Sequence, residues 1–232
     1  MGRYLVRAQL VDRPGALGAL AGALGACGGD IASIEVIGRD PSVVVDDLVV
    51  DIVDERLPDL LAAADAVPGV SVVGARRYDG TVELGHELDM LDTVYGSGGI
   101  AQVLVARVAR TAFKADWAVL VEGTADGSAV AGHGSAGAPR MRWSRLPWLP
   151  LTSPSALSLD GDWVPDSWQH AQTALAAAPV GRTRRALLVG RDGGPAFHPA
   201  EVGRLGRLAA LAAAVADAEE ERAPSRPRGR VG

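Results

Sequence analysis

A six-residue turn from Asp12 to Leu17 limits the possible folds of this chain more than any other segment. It follows an alternating apolar stretch and precedes a helical one. Pro14 fixes its own φ and needs no amide partner, which suits the start of a helix, and Gly15 lets the backbone approach a neighbouring group closely. The amides of Gly15, Ala16 and Leu17 would point out of a helix N-terminus, where a carboxylate is favoured. The turn therefore predicts a binding site rather than a catalytic site.

Hydrophobic periodicity on both sides of the turn predicts the element order β-α-β-β-α-β. Apolar residues alternate up to Asp12, as in a strand with one buried face, and then recur with helical spacing from Ala16 until Gly28. The remaining elements are strands at residues 31–37, 43–53 and 70–78 and a helix that begins at Leu57. This order is the split βαβ, or ferredoxin-like, pattern, in which two helices cover one face of an antiparallel sheet.

With the turn, the helical stripe and the sequence Gly29-Asp30-Ile31, residues 3–78 resemble the ACT domain. In that family the first turn and the start of the second strand bind an amino acid or a similar small molecule, commonly between two modules. The resemblance implies that Asp12 takes the ligand ammonium and that the amides after Pro14 meet its carboxylate. The implied ligand-binding residues are Asp12, Arg13, Pro14, Gly15, Ala16, Leu17, Asp30 and Ile31.

One position departs from the family pattern. Amino-acid-binding ACT domains often carry Asn where this chain has Asp30, and an ionised carboxylate accepts hydrogen bonds but cannot donate them. The identity of the ligand is therefore left open. A simpler interpretation also stands, in which Asp12 caps the helix and the turn is only a connection.

The second part of the chain is predicted to hold another mixed α/β unit. Apolar residues at helical spacing predict helix over residues 88–108, with an interruption at Gly96 to Gly99. The pattern Gly96-x-Gly98-x-x-Ala101 resembles a dinucleotide-binding loop, but it does not predict a nucleotide site because no buried strand precedes it. Strands are predicted at residues 117–121, 128–133 and 186–189, and a final helix from Pro199 to Val215. Residues 140–166, rich in proline and tryptophan, form either a lid over a ligand or an irregular edge.

This order resembles a degenerate GAF domain, most clearly from Ala186 to Val215. That family houses small ligands under a loop-rich lid or mediates dimers through its first and last helices. The Asn-Lys-Phe-Asp-Glu pattern of the members that bind cyclic nucleotides is absent, so the resemblance implies no particular ligand contacts. The expected fold class is α+β, a ferredoxin-like ACT module followed by a GAF-like module whose antiparallel sheet is flanked by N- and C-terminal helices.

Composition narrows the partners and the compartment. The 232 residues suit an ACT-like domain at 1–79, a linker at 80–85, a GAF-like domain at 86–221 and a disordered tail at 222–232. The first 79 residues hold twelve acidic side chains against seven arginines, which argues against nucleic acid. The single Cys27 suits a reducing compartment, and no apolar run is long enough to span a membrane. We expect a cytoplasmic protein.

Chemistry-bearing residues are sparse. The histidines His86, His133, His170 and His198 lack the spacing of a zinc site, and His198 before Pro199 is expected to start the last helix. Ser135 lies in His-Gly-Ser-Ala-Gly, where a nucleophile elbow would need glycine in place of His133. We therefore expect no catalytic residue, no metal and no cofactor.

These expectations combine into a non-catalytic regulatory protein that binds an amino acid or related metabolite and couples it to a GAF-like sensory or dimerisation domain. A homodimer would enclose the ligand between modules, and a separate effector protein would receive the signal. An interaction scaffold with vestigial ligand pockets is the alternative. A hydrolase that uses Ser135 is a third possibility.

Overall fold

The chain folds into mixed α and β structure with two antiparallel sheets, as a computed structural model shows. The structure describes residues 1–79, 110, 112–181 and 184–222. None of the helices in these ranges is both long and apolar enough to cross a membrane.

The first sheet is built by residues 2–77 and has the predicted β-α-β-β-α-β order. Its elements are β1 (Gly2–Val11), α1 (Ala16–Ala26), β2 (Asp30–Arg39), β3 (Val43–Ile52), α2 (Leu57–Asp65) and β4 (Val70–Arg77). A 3₁₀ turn at Asp54–Arg56 precedes α2. The strands lie in the order β2-β3-β1-β4, so β2 and β4 are the edges.

The two helices cover one face of this sheet, and alternation along the strands explains why. Val6, Ala8 and Leu10 of β1 point into a core shared with Leu20 of α1 and Leu60 of α2. The intervening residues of β1 point to the opposite face, where Leu5 is also fully buried. The first sheet is therefore covered on both faces, although the sequence pattern predicts helices on only one.

The second sheet has six strands in the order β7-β6-β5-β10-β9-β8. The strands are β5 (Trp117–Gly123), β6 (Ala129–Gly134), β7 (Arg142–Trp143), β8 (Ser155–Leu157), β9 (Ala174–Pro179) and β10 (Arg185–Arg191); the helices are α3 (Asp166–His170) and α4 (Pro199–Arg222). The predicted strands at 117–121, 128–133 and 186–189 and the final helix are all present. Strand β9 was not predicted, because a run of alanines has neither strand alternation nor β-branched side chains.

The two faces of the second sheet differ in their side chains. Small residues of β9, such as Ala176 and Ala178, let α4 pack closely on one face. On the other face Trp117 stacks on Trp168, with ring centroids 4.9 Å apart. The segment predicted as a lid or an irregular edge supplies Trp143, Trp148 and Trp163 to this second core.

Several predictions fall outside the described residues. They are the helical segment at 88–108 with its glycine pattern, the linker at 80–85, and residues 223–232 of the predicted tail. Helix α4 extends to Arg222.

Candidate functional site

The turn from Asp12 to Leu17 is an open surface in a single chain. Gly15 is the N-cap of α1 and adopts φ 86°, a left-handed conformation that favours glycine. A Cβ added there would meet no atom within 4 Å. Ala16 is buried in the core beneath the helix, whereas the other five residues of the turn are exposed. A ligand could approach this turn freely, but the described part of one chain places no wall opposite it.

Hydrogen bonding at the turn differs in part from the prediction. The Ala16 amide donates to the carbonyl of Arg13 at 3.2 Å, so this predicted ligand contact is already used by the chain. The amides of Gly15 and Leu17 donate to none of the residues that the structure describes. Two of the three predicted amides therefore remain available to an anion.

Asp12 has a partner of its own. Its carboxylate pairs with Arg39 of β2, with an N–O distance of 3.3 Å, and it makes no hydrogen bond to the N-terminus of α1. The alternative in which Asp12 caps the helix is therefore not what the structure shows. Arg13 donates to the carbonyl of Pro68 at 2.9 Å, which attaches the turn to the loop before β4.

Asp30 and Ile31 lie at the other end of the sheet. Ile31 pairs with Val50 of β3, whereas Val11, next to the turn, pairs with Val43. Seven residues of β3 therefore separate the two places, about 23 Å along an extended strand. One chain does not bring the two halves of the predicted site together.

The opposite face of the first sheet carries a buried ion network that joins the two sheets. Arg7 of β1 binds Asp47 of β3 through two hydrogen bonds, at 2.7 and 2.9 Å. Its third nitrogen donates to Glu201 of α4 at 2.7 Å and to the carbonyl of Ala196 at 2.8 Å. All three charged side chains are at most 3% exposed. The planar guanidinium of Arg7 therefore bridges a carboxylate of the first sheet and a carboxylate of α4.

Glu201 is the centre of the network on the second sheet. It accepts hydrogen bonds from Arg191, at 2.7 Å, and from the backbone amide of His198, also at 2.7 Å. Arg191 is fully buried beneath the ring of Phe197, with 4.2 Å between guanidinium and centroid. Burial opposes ionisation of Glu201, but the charges of Arg191 and Arg7 outweigh it and lower its pKa to about 2.

Further contacts extend the junction toward its rim. Glu35 of β2 pairs with Lys114 and, at 2.9 Å, with Arg204 of α4. These two cations outweigh the effect of burial and lower the pKa of Glu35. Arg76 of β4 binds Asp116 at 3.1 Å. Lys114 also lies 3.7 Å from Asp47 of β3, so all four strands of the first sheet form charge pairs with residues between 114 and 204.

His198 lies at the start of the last helix, as predicted, and it also contacts β2. Its Nδ1 accepts the amide of Ala200 at 3.2 Å. Its ring lies against Gly38 of β2, where an added Cβ would be only 2.3 Å from the ring. Glycine is therefore required at position 38 for the two sheets to approach closely.

None of the network residues was predicted as functional. Their partners are separated by up to 194 residues, so local periodicity carries no information about them. One signal was available: Asp46 and Asp47 interrupt a strand of valine and leucine, where two adjacent charges are out of place.

Asp47 is paired with Arg7, whereas the carboxylate of Asp46 has no ion-pair partner among the described residues. Asp46 is 2% exposed, and its Oδ1 accepts no hydrogen bond from the described residues. Burial and the neighbouring charge of Asp47 raise its pKa, against the opposing effect of Arg39. Because Arg39 also pairs with Asp12, Asp46 lies near the turn.

A separate cavity of about 570 Å³ lies along β6 and the loop that follows it. Ser135 lines it, and the Ser135 Oγ accepts the amide of Ala118 at 2.9 Å. No group of three or more potential metal-binding side chains occurs in the described ranges.

Comparisons with known proteins give only distant similarity. No model of a known protein family matches the chain, and no curated protein matches it significantly. A GAF domain/HD domain protein from Geobacter sulfurreducens is 19% identical over 55% of this chain and 98% of its own, with a TM-score of 0.42. The GAF domain of an Acinetobacter phosphoenolpyruvate-protein phosphotransferase is 13% identical over 62% of this chain and all of its own, with a TM-score of 0.42.

A third solved structure spans almost the whole chain. A protein described as a glycine cleavage system transcriptional repressor aligns over 94% of this chain and 92% of its own, with 10% identity and a TM-score of 0.33. Superpositions this loose carry no argument about function.

Proposed function

We propose that this chain is a cytoplasmic, non-catalytic regulatory protein, in which an ACT-like first module binds an amino acid or related metabolite and a GAF-like second module responds. The observation that carries the proposal is the exposed N-terminus of α1, where the amides of Gly15 and Leu17 have no partner among the described residues. Amides at a helix N-terminus bind small carboxylates.

The buried network gives the proposed ligand a route to the second module. Arg7 and Asp47 belong to the first sheet, and Glu201 belongs to α4, which packs on the second sheet. A shift of β1 or β3 would therefore displace a charge that α4 depends on. A ligand acts through such a junction only if it binds one arrangement of it more tightly than another.

A homodimer would complete the site. Strand β2 is an edge of the first sheet, and Ile34 and Val36 on it are 40% and 55% exposed. Antiparallel pairing of two β2 edges would place Asp30 and Ile31 of one copy near the turn of the other. This arrangement accounts for the separation of the two predicted halves within one chain.

Tryptophan fluorescence tests binding and coupling together. All five tryptophans lie between residues 117 and 168, so their emission reports on the second module alone. We expect at least one of the common amino acids to change this emission in a saturable way. Gly15→Ala should weaken the response, because alanine disfavours the left-handed conformation that the turn requires.

Coupling is separated from binding by Glu201→Gln. This variant should still bind the amino acid in calorimetry but show a smaller fluorescence change, whereas Glu122→Gln, at a pair within the second sheet, should behave like the wild type. The proposal fails if no common amino acid produces heat or a fluorescence change. That result would favour the interaction scaffold with vestigial ligand pockets. Turnover of simple esters that disappears in Ser135→Ala would instead support a hydrolase.

A further inference from the structure

Asp46 is a buried carboxylate without a partner for one of its oxygens among the described residues. An unpaired polar group in a protein interior costs free energy, and a charged one costs more, so nearly all such groups are paired with protein, water or an ion. Four buried donors, Nε of Arg76, Arg191 and Arg204 and Nε1 of Trp148, also have no partner among the described residues, but Oδ1 of Asp46 is the acceptor of this set, and a bound cation would satisfy it.

The topology places Asp46 beneath the N-terminal half of α1. Helix α1 connects β1 to β2, and β3 lies between these two strands, so α1 passes over β3. Asp46 has the same orientation as Leu48 and Val50, which contribute to the core under the helices. It is also close to Val43, the end of β3 that is paired with the last residue of β1. The carboxylate and the free amides of the turn are thus at the same end of α1.

The edge strand leaves this region open on one side. Val36 of β2 pairs with Asp46 and is 55% exposed, and Ile34, two residues earlier on the same face, is 40% exposed. The helices therefore do not cover β2 at this level. Exposed apolar side chains of the edge strand therefore lie beside the buried Asp46, and the N-terminus of α1 lies at the same end of the sheet.

We propose that Asp46 binds the ammonium group of an α-amino acid whose carboxylate meets the amides of Gly15 and Leu17. This inference rests on the proposed function and replaces Asp12 as the ammonium ligand. Asp12 is less suitable because it is partly exposed and already paired with Arg39. The ligand side chain would lie over Ile34 and Val36, which favours an apolar amino acid.

The raised pKa of Asp46 agrees with this role, because a cation at that carboxylate would offset its burial and the charge of Asp47. Arg39 pairs with Asp12, and its side chain is 66% exposed. It contributes a favourable charge without occupying the buried Oδ1.

Calorimetry on the full chain, with each common L-amino acid and its N-acetyl counterpart, tests the inference. Free apolar amino acids should bind and their N-acetyl forms should not, because acetylation removes the ammonium charge. Asp46→Asn should weaken binding by about 10- to 100-fold, the size of a lost hydrogen bond between charged groups. The matched control is Asp51→Asn, on the same strand but on its other face, which should leave the affinity unchanged.

Two further measurements guard against a misfolded variant. Thermal unfolding should show a cooperative transition for Asp46→Asn, and Asp46→Glu, which keeps the charge but displaces it, should bind with intermediate affinity. The inference is overturned if the wild type binds an amino acid and Asp46→Asn binds it equally well, or if the N-acetyl forms bind equally well. Loss of binding in Asp12→Asn alone would return the ammonium site to Asp12. If the wild type binds no amino acid at all, the proposed function fails as well.

Discussion

Asp46 and Asp47 are adjacent on β3, yet they lie on opposite faces of the first sheet and differ in their hydrogen bonding. Both are at most 2% exposed. Asp47 receives two hydrogen bonds from Arg7, which connects it to the second sheet, whereas Oδ1 of Asp46 receives none from the described residues. On the face that carries Asp47, the network face, the carboxylates of Asp47 and Glu201 accept hydrogen bonds at both oxygens, although Nε of Arg191 has no partner among the described residues. On the helix-covered face, Oδ1 of Asp46 accepts none from those residues. A carboxylate with all its hydrogen bonds stabilises the fold, whereas a carboxylate that lacks a partner is a place where a ligand can bind.

Arg7→Met should give the largest effect, because it leaves both Asp47 and Glu201 buried without their shared cation. We expect a loss of about 3–5 kcal/mol in the free energy of unfolding, measured by urea denaturation. Arg3→Met is a close control, since Arg3 binds Asp51 with the same two-bond geometry on the same face but is 38% exposed. Its loss should stay below about 1 kcal/mol. Equal losses would show that burial does not distinguish the two pairs.

Acid should weaken the network face at a pH set by Glu201. Its pKa is lowered from 4.5 to about 2, so the network contributes stability above the unfolded pKa and loses it as the pH falls from about 5 to about 2. A shift of this size corresponds to about 3 kcal/mol. Denaturation curves collected across this range should show that Glu201→Gln removes the corresponding part of the pH dependence. An unchanged slope in the variant would assign the acid sensitivity to other carboxylates.

Packing at the network face is as demanding as its charges. Gly38→Ala should cost about 1–3 kcal/mol, because the new methyl group would overlap the His198 ring. His198→Ala should relieve most of this cost in the double variant. Gly18→Ala, where an added Cβ has open space on α1, should not destabilise the protein. Thermal unfolding compares the wild type with Gly38→Ala, with the Gly38→Ala, His198→Ala double variant and with Gly18→Ala. If the double variant loses as much stability as Gly38→Ala, overlap with the His198 ring is not the cause of the loss.

The sequence predicted the helix-covered face far better than the network face, because the first depends on local patterns and the second on contacts between residues far apart in the chain. Alternation in β1, the Pro14-Gly15 turn and the stripe of α1 are local signals, so the first sheet and its helices could be predicted. The contact between Arg7 and Glu201 spans 194 residues and leaves no periodic trace. Local patterns also could not show that Asp12 forms an ion pair with Arg39. Nor could they show that Ile31 lies about 23 Å along the sheet from the turn.

Asp46→Asn provides the sharpest contrast with the network face, because it should stabilise the ligand-free protein. Removing an unpaired buried charge should raise the free energy of unfolding by about 1 kcal/mol at neutral pH. The folded pKa of Asp46 is raised, so its protonated form favours folding; that contribution is present below the unfolded pKa and is lost as the pH rises through the folded pKa. The gain from asparagine should therefore be small in acid and grow with pH, opposite to the behaviour of Glu201. Urea denaturation at pH 3 and pH 7 measures both values. A loss of stability in Asp46→Asn at pH 7 would mean that the carboxylate is already satisfied inside the chain and has no need of a ligand.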